Sequence, residues 1–139
     1  MAKYYTRFPD GSVYEFLHKT TRDDVEFLTR AEYLKARPEY CKRELQKLVQ
    51  PGATVYCVLR HRSSSGMQRR ISLFVMVDNA PRCIDQYAAD ILRLKNHDNG
   101  GIVVNGCGMD MGFHLVYSLS AALYGHDDRG AYNLKSAWL

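Results

Sequence analysis

No run of apolar residues in this 139-residue chain approaches the roughly 18 to 20 that a membrane-spanning helix needs, which excludes one from the expected elements. Cysteine is sparse and scattered: Cys41, Cys57, Cys83 and Cys107 stand singly, with no CxxC pair. The sequence shows no signal peptide either, and the pattern fits a reduced cytoplasmic protein better than a secreted disulfide scaffold. There is no internal repeat and no low-complexity segment. Carboxylates are missing from one long stretch. Between Glu44 and Asp78 none occurs, while Lys47, Arg60, Arg62, Arg69 and Arg70 do, so this segment alone exceeds the net charge of +4 and leaves the remainder close to neutral. A charge of +4 is too small to signal a duplex-binding protein, and no DNA-reading motif is present. What is there is the balance of one soluble globular domain, 46% hydrophobic and 24% charged, long enough to bury a core without disulfide or metal.

The hydropathy pattern predicts β-hairpins interleaved with helices. Lys3–Phe8 and Ser12–Leu17 flank a Pro9-Asp10-Gly11 turn. Thr21 to Asp24 has the composition of a helix start, followed by Val25, Leu28, Ala31 and Leu34 as a buried stripe. Pro38 is expected to interrupt that helix and begin a second one carrying Cys41, Leu45, Leu48 and Val49, ended by Pro51-Gly52. Thr54–Arg62 and Arg69–Val77 form a hairpin with a wide polar loop. After a turn at Asp78 to Pro81, Asp85 is expected to cap an amphipathic helix bearing Ile84, Tyr87, Ala88, Ile91 and Leu92. Ile102–Asn105 is a short strand, and a helix to about Tyr124 is apolar nearly all round, which predicts a central, buried position. The tail, residues 126–139, has no strong pattern, although Trp138 and Leu139 could dock on the body or on a second subunit. The expected fold class is α+β: a single domain with a mostly antiparallel sheet built from hairpins and helices packed on it.

Two constellations carry potential chemistry. In Arg60-His61-Arg62-Ser63-Ser64-Ser65-Gly66-Met67-Gln68-Arg69-Arg70, arginine forks, serine hydroxyls and glycine-freed NH groups suit an anion, with no carboxylate nearby in sequence to compete. Strand alternation places Arg60 and Arg62 on one face with Tyr56 and Val58, and His61 on the apolar face with Val55, Cys57 and Leu59. The competing account is a solvated loop at a strand end. The second constellation, Gly106-Cys107-Gly108-Met109-Asp110-Met111-Gly112-Phe113-His114, is a strand–loop–helix passage whose free NH groups could receive an anion, or a plain turn capped by Asp110. It matches neither GxGxxG nor the P-loop. Candidate ligand-binding residues are therefore Arg60, Arg62, Ser63, Ser64, Ser65, Gly66, Met67, Arg69, Arg70, Gly106, Cys107, Gly108, Met109 and Asp110. His61 and His114 are candidate acid–base groups, each with a structural role as the rival reading. No metal site and no cofactor are expected, since Cys107 and His114 lack further ligands at a recognisable spacing.

Val58-Leu59-Arg60-His61 with Ser63 to Ile71, and Gly106-Cys107-Gly108-Met109-Asp110-Met111-Gly112 with Phe113 to Leu119, resemble a group of small proteins encoded in bacteriophage and prophage genomes. The resemblance runs from roughly Ala53 to Tyr124. It marks residues 53–124 as the core of a single domain, residues 1–50 as an addition and residues 126–139 as a tail. It implies a phage origin and the cytoplasm of an infected bacterial cell, but brings no activity and no catalytic residues. By analogy of role, some small phage proteins sequester nucleotide signals of host defence. The expected function is accordingly that of a small protein holding an anionic nucleotide-type ligand, as a homo-oligomer, without catalysis. The rivals are an enzyme cleaving a phosphoester with His61 and His114 across one pocket, and an inhibitor binding a host defence protein or nucleic acid through the basic hairpin. The first reading expects an Arg69→Ala, Arg70→Ala variant to lose binding and keep its fold.

Overall fold

The computed structural model describes residues 3–106, 110–125 and 134–139. Its elements in chain order are β1 (Tyr4–Arg7), β2 (Val13–Phe16), β3 (Glu26–Leu28), α1 (Arg30–Leu48), β4 (Thr54–Arg62), β5 (Gln68–Val77), β6 (Ala80–Cys83), α2 (Asp85–Leu92), β7 (Ile102–Asn105), α3 (Met111–Tyr124) and β8 (Lys135–Trp138). This is an α+β domain of two sheets with helices packed between them. Among the described residues no helix is long and apolar enough to cross a membrane.

The β4–β5 hairpin is the centre. Val55 and Cys57 of β4 and Ile71, Leu73 and Val75 of β5 are buried on the face that the helices cover. β6 runs along the second half of β5, returning through Asp78 and Asn79, both with positive φ, so Ala80 and Pro81 are already strand rather than turn. β7 takes the first half of the same edge, pairing Ile102 with Ile71 and Asn105 with Gln68. On the other side of β4 lies β8, parallel, with Ala137 opposite Tyr56 and Trp138 opposite Cys57. The end of the tail thus docks on the body as a strand. The Trp138 ring fills the space beside Gly112, where an added Cβ would sit 2.8 Å from it.

The first fifty residues fold differently from their pattern. Glu26–Leu28 is a strand on β1 and not helix, and the helix begins at Arg30, where the Thr29 hydroxyl accepts from Glu32 N and the Glu32 carboxylate accepts from Thr29 N. That reciprocal cap outcompetes the Thr21–Asp24 start, whose Asp24 is instead paired with Arg22. Pro38 does not interrupt: α1 is continuous through it. Leu34, whose carbonyl loses its helical donor to the proline ring, is solvent-exposed, and burial of Tyr40, Cys41 and Leu45 beyond it holds the helix together. α1 serves two cores. Its Tyr40 and Cys41 pack with Val13 and Leu28 of the small sheet, and its Leu45 and the following Val49 join the main core.

Asp85 does not cap α2. Its buried carboxylate accepts the Leu73 NH at 2.6 Å, tying the start of the helix to the middle of β5. α3 is not encircled: it buries Leu115, Val116, Leu119 and Leu123 while His114, Tyr117 and Ser118 face solvent.

Candidate functional site

The register of β4 and β5 changes at the end of the hairpin. Leu59 pairs with Ile71, but His61 pairs with Arg70 and Arg62 with Arg69, leaving Arg60 as the extra residue of a β-bulge. Cross-strand partners share a face, so the bulge reverses the facing that simple alternation predicts. His61 lies on the sheet face away from the helices, beside Arg70, and Arg62 lies on the helix side, beside Arg69. Neither position follows the alternation of the strand.

A loop from β7 closes this end. His97 N donates to Gly101 O and Gly100 N to His97 O, forming a tight turn that lies over the hairpin. Arg70 Nη1 donates to Gly100 O and to His97 Nδ1, both at 3.1 Å, and Asn99 N donates to the same Nδ1 at 3.0 Å. A guanidinium and a backbone NH can only donate, so His97 Nδ1 is the acceptor of both bonds. Gly100 and Gly101 have φ of +97° and +101°, and the missing side chains leave room for arginine. A Cβ on Gly100 would stand 3.1 Å from Arg60 Nη2, and one on Gly101 would stand 2.9 Å from Arg70 Cβ. Arg60 therefore crosses the sheet beside this loop. Farther along, burial pushes the Cys83 thiol up from its ordinary value, with the Arg60 guanidinium acting in the opposite direction.

The result is a cavity of about 310 Å³ lined by His61, Gln68, Arg69, Arg70, His97 and Asn99. All six carry side-chain nitrogen, and none is a carboxylate. Such a lining offers donors to phosphate or carboxylate oxygens. Among the described residues no group of three or more His, Cys, Asp or Glu could hold a metal ion.

The candidate residues divide. Arg70 and His61 meet in the cavity, with Arg60 alongside. Arg69 lines it too but is only 8% exposed, and its Nη1 donates to Gly106 O at 3.4 Å. It is a structural tie as much as a grip, so truncating Arg69 and Arg70 together would loosen the fold rather than spare it. The serine loop is largely satisfied within itself. Gly66 N donates to Ser63 O, Gln68 N to Ser63 Oγ and Met67 N to Ser65 Oγ, and the two hydroxyls bond each other at 3.2 Å. Ser64 and Met67 are exposed. The hairpin end is tied to the end of β7 and to Gly106, since Gly106 N donates to Met67 O and Gln68 Nε2 to Asn105 Oδ1. Cys107, Gly108 and Met109 lie outside the described residues.

Asp110 stands at the start of α3 without capping it; its carboxylate takes His114 Nε2 at 2.9 Å on the exposed side of the helix. His114 borders a second cavity of about 410 Å³, with Leu92, Leu94, Val104, Asn105, Met111, Leu115 and Ser118. His61 and His114 therefore line different cavities. Three lining residues were not among the candidates: Gln68, which stood within the Arg60–Arg70 constellation, and His97 and Asn99, which the sequence pattern passed over; the signal available for these two was their place before Gly100-Gly101, whose glycines let backbone approach a strand. No protein-family model matches the chain, and no curated protein and no solved structure is significantly similar to it. What the site can do rests on its own chemistry.

Proposed function

We propose that this protein binds a phosphorylated, nucleotide-type anion at the end of the β4–β5 hairpin and holds it without cleaving it. The observation that carries this reading is the cavity lining: six side chains rich in donors, two of them arginines, with no carboxylate among them. Arg70 is pre-oriented by His97 and Gly100, which lowers the ordering cost of gripping a phosphate. The separation of His61 from His114 favours binding over cleavage, because an acid–base pair must reach the same reacting atom.

Purified protein is incubated with a panel of linear, cyclic and ADP-ribose-type nucleotides, and the free fraction is followed by chromatography before and after heat denaturation. A nucleotide that disappears and returns unchanged on heating is the expected result, with Arg70→Gln weakening uptake about ten- to a hundredfold through loss of a charge-assisted contact. A chemically altered product would make the protein an enzyme. A panel left wholly in solution would refute the reading and point to a macromolecular partner.

A further inference from the structure

Apart from the 97–101 loop and the Arg60 side chain, beneath which Ser72 is only 1% exposed, no helix or strand among the described residues covers the face of the main sheet turned away from the helices. The register places Ala137, Tyr56, Phe74 and Cys83 in one row across β8, β4, β5 and β6. Val58 and Met76 flank that row on the same face, and Met76 is 50% exposed. Tyr56, Val58 and Phe74 are partly exposed, and none of them packs against either buried core. Two aromatic residues, one on each central strand, are thus cross-strand partners on this face. The same face leads along β5 to Arg70 and the nitrogen-lined cavity, and Arg60 crosses it at Gly100 and Gly101.

Charge decides what fits there. An apolar protein surface would have to desolvate Arg60 and Arg70 without offering them a counter-charge, whereas a chain of nucleotides offers a base for each ring and a phosphate for each guanidinium. Length decides how much of it fits. Phe74 lies four residues from Arg70 along β5, about 13 to 14 Å at the rise of an antiparallel strand. That is farther than one nucleoside monophosphate spans from base to phosphate. A single nucleotide can occupy the cavity or the rings but not both.

We infer that the site takes a single-stranded nucleic-acid segment of two or more nucleotides, its bases stacked on Tyr56 and Phe74 and its phosphates running past Arg60 to Arg70, His61 and His97. This rests on the anion-binding reading above and names its ligand more narrowly. Selectivity for single strands follows from the geometry, since bases paired in a duplex do not present their faces to a sheet.

The test measures fluorescence anisotropy of labelled eight-nucleotide oligouridylate and oligothymidylate with the full chain, with unlabelled UMP, the dinucleotide UpU and a duplex of matched length as competitors. Expected is tight binding of the single strands, competition improving from UMP to UpU, and weak competition by the duplex. Tyr56→Leu and Phe74→Leu keep apolar bulk but remove the rings. Each should weaken single-strand binding about tenfold or more while leaving UMP competition unchanged, whereas Arg70→Gln weakens both. Thermal melting of each variant confirms that it is folded. UMP competing as well as the longer chains, or ring variants that bind single strands normally, would overturn this inference and leave the cavity reading standing. A duplex that binds as tightly as a single strand would also overturn it. If no oligonucleotide binds, this inference falls, and the anion-binding reading is decided separately by the nucleotide panel.

Discussion

Gly101→Ala dismantles the cavity without altering a single charge. The backbone there has φ of +101°, a conformation that disfavours any L side chain by about 1 to 2 kcal/mol. The added methyl would meet Arg70 Cβ at 2.9 Å and the Arg70 carbonyl carbon at 3.2 Å. Those atoms cannot retreat, because β5 is hydrogen-bonded to β4 on one side and to β7 on the other. The loop must lift instead, and it then gives up the Arg70 bonds to Gly100 O and His97 Nδ1. Strain and lost bonds together amount to about 2 to 3 kcal/mol, a fall in Tm of roughly 6 to 12 °C for a domain of this size. Urea and thermal unfolding read the stability, and nucleotide uptake reads the site. Uptake is expected to fall along with stability. A variant with wild-type Tm and wild-type uptake would refute the claim that Gly101 is clamped against β5 and that the loop orients Arg70.

Arg37 joins the small sheet to the helices, donating to Asp90 Oδ2 at 2.9 Å and to Val13 O at 2.6 Å, and lying over the rings of Tyr14 and Tyr40. Because the guanidinium is buried and the Asp90 carboxylate is partly solvated, Asp90→Ala should cost about 3 kcal/mol and Arg37→Met about 1 kcal/mol, an order that urea unfolding checks. Thr29→Ala removes the α1 cap and should cost about 1 kcal/mol by the same measurement. Hydrogen bonds from Thr29 hold Glu32 below its ordinary value, and the Ser12 bonds and the Arg22 guanidinium do the same for Asp10 and Asp24. A depressed carboxylate contributes stability above its unfolded pKa and loses it as pH falls through its folded one. Unfolding midpoints should therefore hold steady down to about pH 5 and fall below about pH 4, and a midpoint unchanged to pH 3 would contradict these pairings. Cys41 and Cys57 are buried, which closes them to reagent and pushes them up to about 11, whereas Cys83 is exposed, so mass-spectrometric mapping after brief iodoacetamide treatment at pH 8 should find Cys83 modified and these two intact.

The strands of the main hairpin, α2 and α3 were legible because each buries one face of a regular period. What the pattern missed was set by partners distant in sequence. Val25, Leu28, Ala31 and Leu34 fit a helix on spacing, yet pairing with β1 claims Glu26–Leu28 as strand. Pro38 reads as a break on local energetics, and two cores on one helix override it. β8 has no pattern of its own because it is a short strand completed by β4, 81 residues earlier counting from Lys135 to Thr54. At the site, the arginine-rich hairpin end was legible from its missing carboxylates, and Arg70 and His61 do line the cavity. The internal bonding of the serines was not visible, because it depends on the turn that Gly66 makes. Nor was His97, whose role exists only once the loop folds back on β5.

The bulge at Arg60 makes the chemistry of this hairpin depend on counting. Straighten the bulge, with Arg60 taken into the ladder opposite Arg70, and every side chain from His61 to the loop turns over: the imidazole leaves the cavity for the helix side and the Arg62 guanidinium turns outward, with the composition unchanged. The strand end therefore behaves like a reading frame. The same letters in a straight ladder would present a different set of groups to the ligand, so hairpins of this kind are comparable only when the place of the bulge is matched as well as the residues.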